Sequence, residues 1–182
     1  MTDVKAKQRK NEKLKKAKQD RLRVLKTIVK GDAPILKTIC EDVKKEDVLD
    51  FVPKMARALF ATGRGVGIAA PQIGVGKKLF ILLVDRDKKV IKVVINPSII
   101  EWSGVKITGS EGCLSYPDVY RNIQRDQKIK VKYLNEKFEE KEDVLTGYWA
   151  RVFQHEYDHT NLGRCLVGLP QEEIDKVNME VA

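Results

Sequence analysis

The chain has 182 residues, 42% of them apolar and 34% charged, with a formal net charge of +9. That length predicts one domain whose core needs no disulfide support, and three widely spaced cysteines (Cys40, Cys113 and Cys165) fit reduced thiols or a ligand better than a disulfide framework. The longest apolar stretch, residues 79–84, is too short to cross a bilayer and no apolar signal core follows the N-terminal charges, so an intracellular chain with no membrane partner is expected.

The charge is unevenly placed. Residues 1–30 carry twelve Lys or Arg against three Asp or Glu, which accounts for the whole +9 and leaves 23 of each sign in the remainder. Leu14, Ala17, the stem of Arg21, Leu25 and Ile28 recur at helical spacing, so residues 1–22 read as a basic arm, helical or disordered. Such an arm suits a polyanion, with ribosome or rRNA the expected partner; the plain alternative is a solvated tail. Its acidic residues, Lys bias and lack of Ser argue against an organellar presequence.

Gly31, Asp32, Ala33 and Pro34 read as a turn that opens a single catalytic domain over residues 23–182. Residues 46–62 have helical period, with Leu49, Val52, Met55, Ala56, Leu59 and Phe60 on one side and Gly63 as the stop, although Pro53 conflicts with an unbroken helix. The period then changes to two. Residues 78–85, 90–96, 99–108 and 126–134 read as strands, and a turn at 135–137 with a short strand precedes a helix expected over residues 143–159. The predicted architecture is α+β, with mixed or antiparallel strands packed around a central helix carrying HEYDH, plus the basic N-terminal extension.

That helix holds the only two histidines, His155 and His159, four residues apart around Glu156. Positions i and i+4 share one helix face, so both imidazoles can reach one cation. A catalytic ion generally takes three protein ligands. Glu172 and Glu173 follow closely in a polar segment, but Cys113, just after a turn at a strand end, is the better third donor. A zinc peptidase of the HExxH type, or a basic ribosome- or RNA-associated module with a vestigial metal site, are the competing readings.

Three segments then agree in order: GVGIAAPQ over residues 65–72, EGCLS over 111–115 and QHEYDH over 154–159. Together they resemble the peptide deformylase family, over residues 24 to 167. The resemblance implies a hydrolase that removes the N-formyl group from the formylmethionine end of nascent polypeptides and releases formate. It assigns Cys113, His155 and His159 to one divalent metal ion, with Fe2+ first and Zn2+, Ni2+ or Co2+ as alternatives, and makes Glu156 the general base. Gln72 and the backbone N–H of Leu114 would meet the developing oxyanion, and Gly65, Val66, Gly67 and Ile68 would hold the substrate backbone. Glu111 and Arg125 are expected to brace the cysteine loop as an ion pair, and Asp158 to steady the helix or a ligand. Ile68, Tyr116, Val152 and Phe153 are candidates for the methionine pocket wall. The expected location is the bacterial cytoplasm, with an organelle as the alternative.

The chain departs from the family in three places. Thr160, Asn161, Leu162 and Gly163 carry one residue more than the usual Leu-x-Gly, Tyr116 stands where a smaller aliphatic is usual, and the C-terminus, with Glu172, Glu173, Asp175 and Glu180, lacks a long basic helix.

Overall fold

A computed structural model describes residues 2–180; Met1 of the arm, and Val181 and Ala182 of the domain, lie outside it. The first element is α1 (Thr2–Leu25), a 24-residue helix. Its residues 7–23 are exposed, among them Leu14 (59%), Ala17 and Arg21, so most of its expected apolar stripe is not buried against the body. Attachment comes at the C-terminal end, where Val24 and Leu25 pack on the core, Ile28 is buried and Arg21 Nε donates to the Ala61 carbonyl at 2.7 Å.

A 3-10 turn (Lys45–Asp47) leads into α2 (Val48–Thr62). Pro53 sits inside α2 rather than at its start; the ring removes one N–H donor only one turn past the residues whose donors are unpaired in any helix. The buried face is Val48, Met55, Ala58 and Leu59, whereas Leu49, expected inside, is 82% exposed. Gly63 closes the helix at φ 72°.

Seven strands follow: β1 (Gly67–Ala69), β2 (Leu79–Asp85), β3 (Val90–Trp102), β4 (Lys106–Cys113), β5 (Tyr116–Asp126), β6 (Lys128–Leu134) and β7 (Glu140–Thr146). They form an antiparallel five-stranded sheet in the order β1-β2-β3-β6-β7 and a separate β4-β5 hairpin. The strands expected at 90–96 and 99–108 are redivided: β3 runs from Val90 through Pro97 to Trp102 because Asn96, at φ 48°, locks its side-chain amide to the Val43 backbone where the register shifts, and residues 106–108 belong to β4 instead. The expected helix start at residue 143 is also corrected. Residues 140–146 pair with β6, with ion pairs such as Lys132 to Glu140 at 3.0 Å, and α3 (Gly147–Asn161) begins only at Gly147, which turns the chain at φ 54°.

Each face of the sheet meets a helix. Leu79, Ile81 and Leu83 point to α2 with Met55, Ala58 and Leu59, while Phe80 and Leu82 point to α3 with Ala150, Val152 and Phe153. Burial on both faces explains the unbroken apolar run of β2. On its other side α3 meets the hairpin, which has a third apolar cluster of Cys113, Ile123, Cys165, Leu166, Val167 and Ile174, the last from α4 (Gln171–Glu180). Among the described residues, no helix is long and apolar enough to cross a membrane.

Candidate metal centre and cleft

The hairpin and α3 each supply part of one donor cluster. Cys113 ends β4, immediately before the two-residue turn of Leu114 and Ser115, and is 7% exposed. His155 and His159 lie one turn apart on α3 with ring centroids 5.2 Å apart, and His159 Nε2 is 3.3 Å from Cys113 Sγ. One ligand atom each from Cys113, His155, His159 and Cys165 fall within 4.8 Å of one another. Thiolate and imidazole donors at this spacing fit a divalent cation of the zinc and iron class. Glu172 and Glu173 are exposed on α4 and take no part in that cluster.

A buried charge network fixes these donors. Glu111, two residues before Cys113, accepts two bonds from Arg125 at 3.0 Å each, one from Arg151 at 2.8 Å, and faces His155 Nδ1 at 2.9 Å. Occupying Nδ1 in this way leaves Nε2 of His155 as the ring nitrogen that could serve a cation. Burial pushes the Glu111 carboxyl up, but Arg125 and His155 outweigh it and hold the carboxyl well below the usual range. The imidazole of His155 is opposed by its own burial, yet its bonds to Cys113 and Glu111 raise it well above the ordinary histidine value. Asp158 binds Arg125 at 2.5 Å and Arg164 at 3.2 Å, so it ties the hairpin and the segment after α3 to the helix rather than touching a histidine ring.

Glu156 is 4% exposed, and its Oε2 is a buried oxygen with no hydrogen-bond partner among the described residues. Burial pushes its carboxyl up to about 7, against the pull of His155 and His159. Gly67 of β1 faces it so closely that a Cβ there would collide with the carboxylate. Gln72 follows β1 in a 3-10 turn (Ala70–Ile73); its Oε1 accepts the Ala69 N–H at 2.9 Å, which aims Nε2 at Cys113 Sγ (3.4 Å) and Ser115 Oγ (3.2 Å).

Gln72, Glu111, Cys113, His155 and Glu156 line one cleft of about 280 Å³, whose walls include Gly65, Val66, Gly67, Leu114, Tyr116 and Val152. Ile68 and Phe153, expected in the pocket wall, instead have their side chains in the core, 0% and 1% exposed. The ring of Tyr116 reaches into the space above Gly168 that any larger residue would fill.

Several partners escaped the sequence reading. Arg151 clamps Glu111 and the carbonyls of Ile107 and Ile123. Residues 29–31 form a strap joining the Gln72 turn to the turn after β4: Val29 N–H donates to the Gln72 carbonyl at 2.8 Å, Lys30 Nζ to the Leu114 carbonyl, and Gly31 N–H to the Ser115 carbonyl at 3.0 Å. Cys165, 52 residues beyond Cys113, gave no local signal beyond lying six residues after His159.

Residues 25–167 match the sequence profile of the family described as polypeptide deformylase. A peptide deformylase of Thermotoga petrophila is 42% identical over 134 residues, covering 72% of this chain and 78% of that protein. The crystal structure of a class I type b peptide deformylase from Acinetobacter baumannii superposes with a TM-score of 0.70 at 35% identity, covering 77% of this chain and 95% of the other. For the peptide deformylase of Plasmodium falciparum the TM-score is 0.73 at 31% identity, covering 85% and 92%.

Proposed function

From the premise that the chain belongs to the peptide deformylase family, metallohydrolases that remove the formyl group from nascent peptides, we propose how its own residues divide that work. Cys113, His155 and His159 hold the ion, and residues 23–182 act as one catalytic domain built around α3 as its central helix. The observation that carries this reading is the meeting of these three donors in one cluster, of which Cys113 and His155 open onto the cleft that also holds a buried, unpartnered Glu156 oxygen. Held by Cys113, His155 and His159, a divalent cation would supply Lewis acidity to a water and a formyl oxygen in the cleft. Iron(II) is the reading we favour, and the same donors accept zinc, nickel or cobalt.

The remaining steps belong to side chains and backbone. Glu156, with a carboxyl near 7, takes the proton of the attacking water and returns it to the departing amine, leaving formate and a free N-terminus. The Gln72 Nε2–H and the Leu114 N–H meet the oxygen that gains charge as the formyl carbon becomes tetrahedral. β1 is an edge strand, bonded to β2 on one side only, so Gly65, Val66, Gly67 and the backbone of Ile68 offer a free edge along which an extended peptide can pair. Glu111, Arg125 and Asp158 hold the ligands in place.

Formate release from formyl-Met-Ala-Ser tests the assignment. Glu156→Gln should lower kcat by about 10²- to 10⁴-fold with metal content unchanged, and Cys113→Ala should lose metal and activity together. Internal peptide-bond cleavage that survives Cys113→Ala would support a zinc peptidase instead. The basic arm, residues 1–22, is read as a ribosome or rRNA handle, and the bacterial cytoplasm as the place of work.

A further inference from the structure

Cys165 sits at the entry to a 3-10 turn (Leu166–Gly168), 9% exposed, with its thiol free. A buried cysteine is ordinarily a small packing residue, and Cys165 does pack with Ile123, Leu166 and Val167. Its sulfur, however, lies in the same 4.8 Å cluster as Cys113, His155 and His159. The adjoining His159 is fully buried with an Nδ1 that has no partner among the described residues. The cluster thus gathers two sulfurs and two imidazoles, with His159 Nε2 turned to Cys113 Sγ at 3.3 Å.

The path that brings Cys165 back under α3 is tightly held. The Asp158 carbonyl accepts the N–H groups of Leu162 (3.3 Å) and Arg164 (3.1 Å), and its carboxylate holds Arg164 Nε. Gly163, at φ 57°, is pressed against the backbone of Thr38 and Ile39 so that a Cβ would stand 2.7 Å from both. This is also the stretch with one residue more than the usual family pattern. The chain leaves the helix and returns by a route that packing and hydrogen bonds both dictate, with a thiol at its end.

We propose that Cys165 is a fourth protein donor to the divalent ion, giving a closed two-thiolate, two-imidazole resting site that opens when water and peptide displace it. The proposal rests on the reading of Cys113, His155 and His159 as the ion's ligands. Four protein donors are the mark of closed sites, whereas catalytic sites keep one position free. Two thiolates also neutralise the charge of a divalent ion, so the closed form would scarcely acidify water; it would protect the ion between substrates and favour thiophilic metals.

Cobalt(II) is the probe, loaded anaerobically into the full chain, because its thiolate charge-transfer absorption grows with the number of bound thiolates. Cys165→Ser should lose about half of that absorption and should release cobalt to a chelator about tenfold faster or more, the scale seen when a supporting partner of a metal ligand is lost. X-ray absorption at the cobalt edge of the unaltered protein, which needs no variant to fold, should count two sulfur neighbours without peptide and one with a bound formyl-peptide product. A single sulfur in the peptide-free protein, or an unchanged spectrum in Cys165→Ser, would overturn the proposal while leaving the three-ligand reading intact. Cobalt bound with undiminished affinity by Cys113→Ser would overturn that underlying reading.

Discussion

Glu111 is the residue on which the site's charge balance turns, since it alone faces Arg125, Arg151 and His155. With its carboxyl held below the usual range, the stability it contributes is full at neutral pH, where the unfolded carboxyl is also ionised. It is lost as pH falls below about 4.5 toward the depressed folded value. Glu111→Gln should therefore flatten the acid limb of Tm against pH and weaken metal binding ten- to a hundredfold; an unchanged limb measured by thermal melts would contradict the network's role. At this scale the sequence was legible wherever chemistry is local. Two histidines on one helix turn declare themselves, and the EGCLS stretch places Cys113 and Glu111 together. Arg151 and Lys30 carry no such mark, because their partners are far off in sequence and exist only once the hairpin, α3 and the strap have met.

Among elements, the segment after α3 is the most constrained. Gly163→Ala would need both a left-handed L-residue, costing about 1–2 kcal/mol, and space occupied by the Thr38 and Ile39 backbone. The expected loss in urea unfolding is at least about 2 kcal/mol, and a loss below about 0.5 kcal/mol would show that the segment can relax. Element types with clean periodicity were readable: β6 alternates KIKVKYL with every second residue buried. The strand β5 was not, because YPDVYRNIQRD is mostly polar and solvent-facing and becomes a strand only by pairing with β4. Likewise Asp143, Val144, Leu145 and Thr146 fit a helix by pattern, yet pairing with β6 claims them.

For the whole molecule, the cleft lies between a sheet edge and a hairpin, with α3 common to both. The basic arm stands apart from it, exposed over residues 7–23. Deleting residues 1–22 should leave hydrolysis of a short formyl peptide intact while weakening ribosome binding in a manner that steepens as salt is lowered; sedimentation with ribosomes at two salt concentrations checks this, and undiminished binding would dismiss the arm as a handle. The strap at residues 29–31 gives such a handle a geometric consequence. It joins the end of α1 by a few residues to the carbonyls of Gln72, Leu114 and Ser115, so a particle gripping the helix also sets the compass bearing of the cleft mouth. A helix of 24 residues is roughly 36 Å long, and a chain end emerging within that radius is served by reach alone.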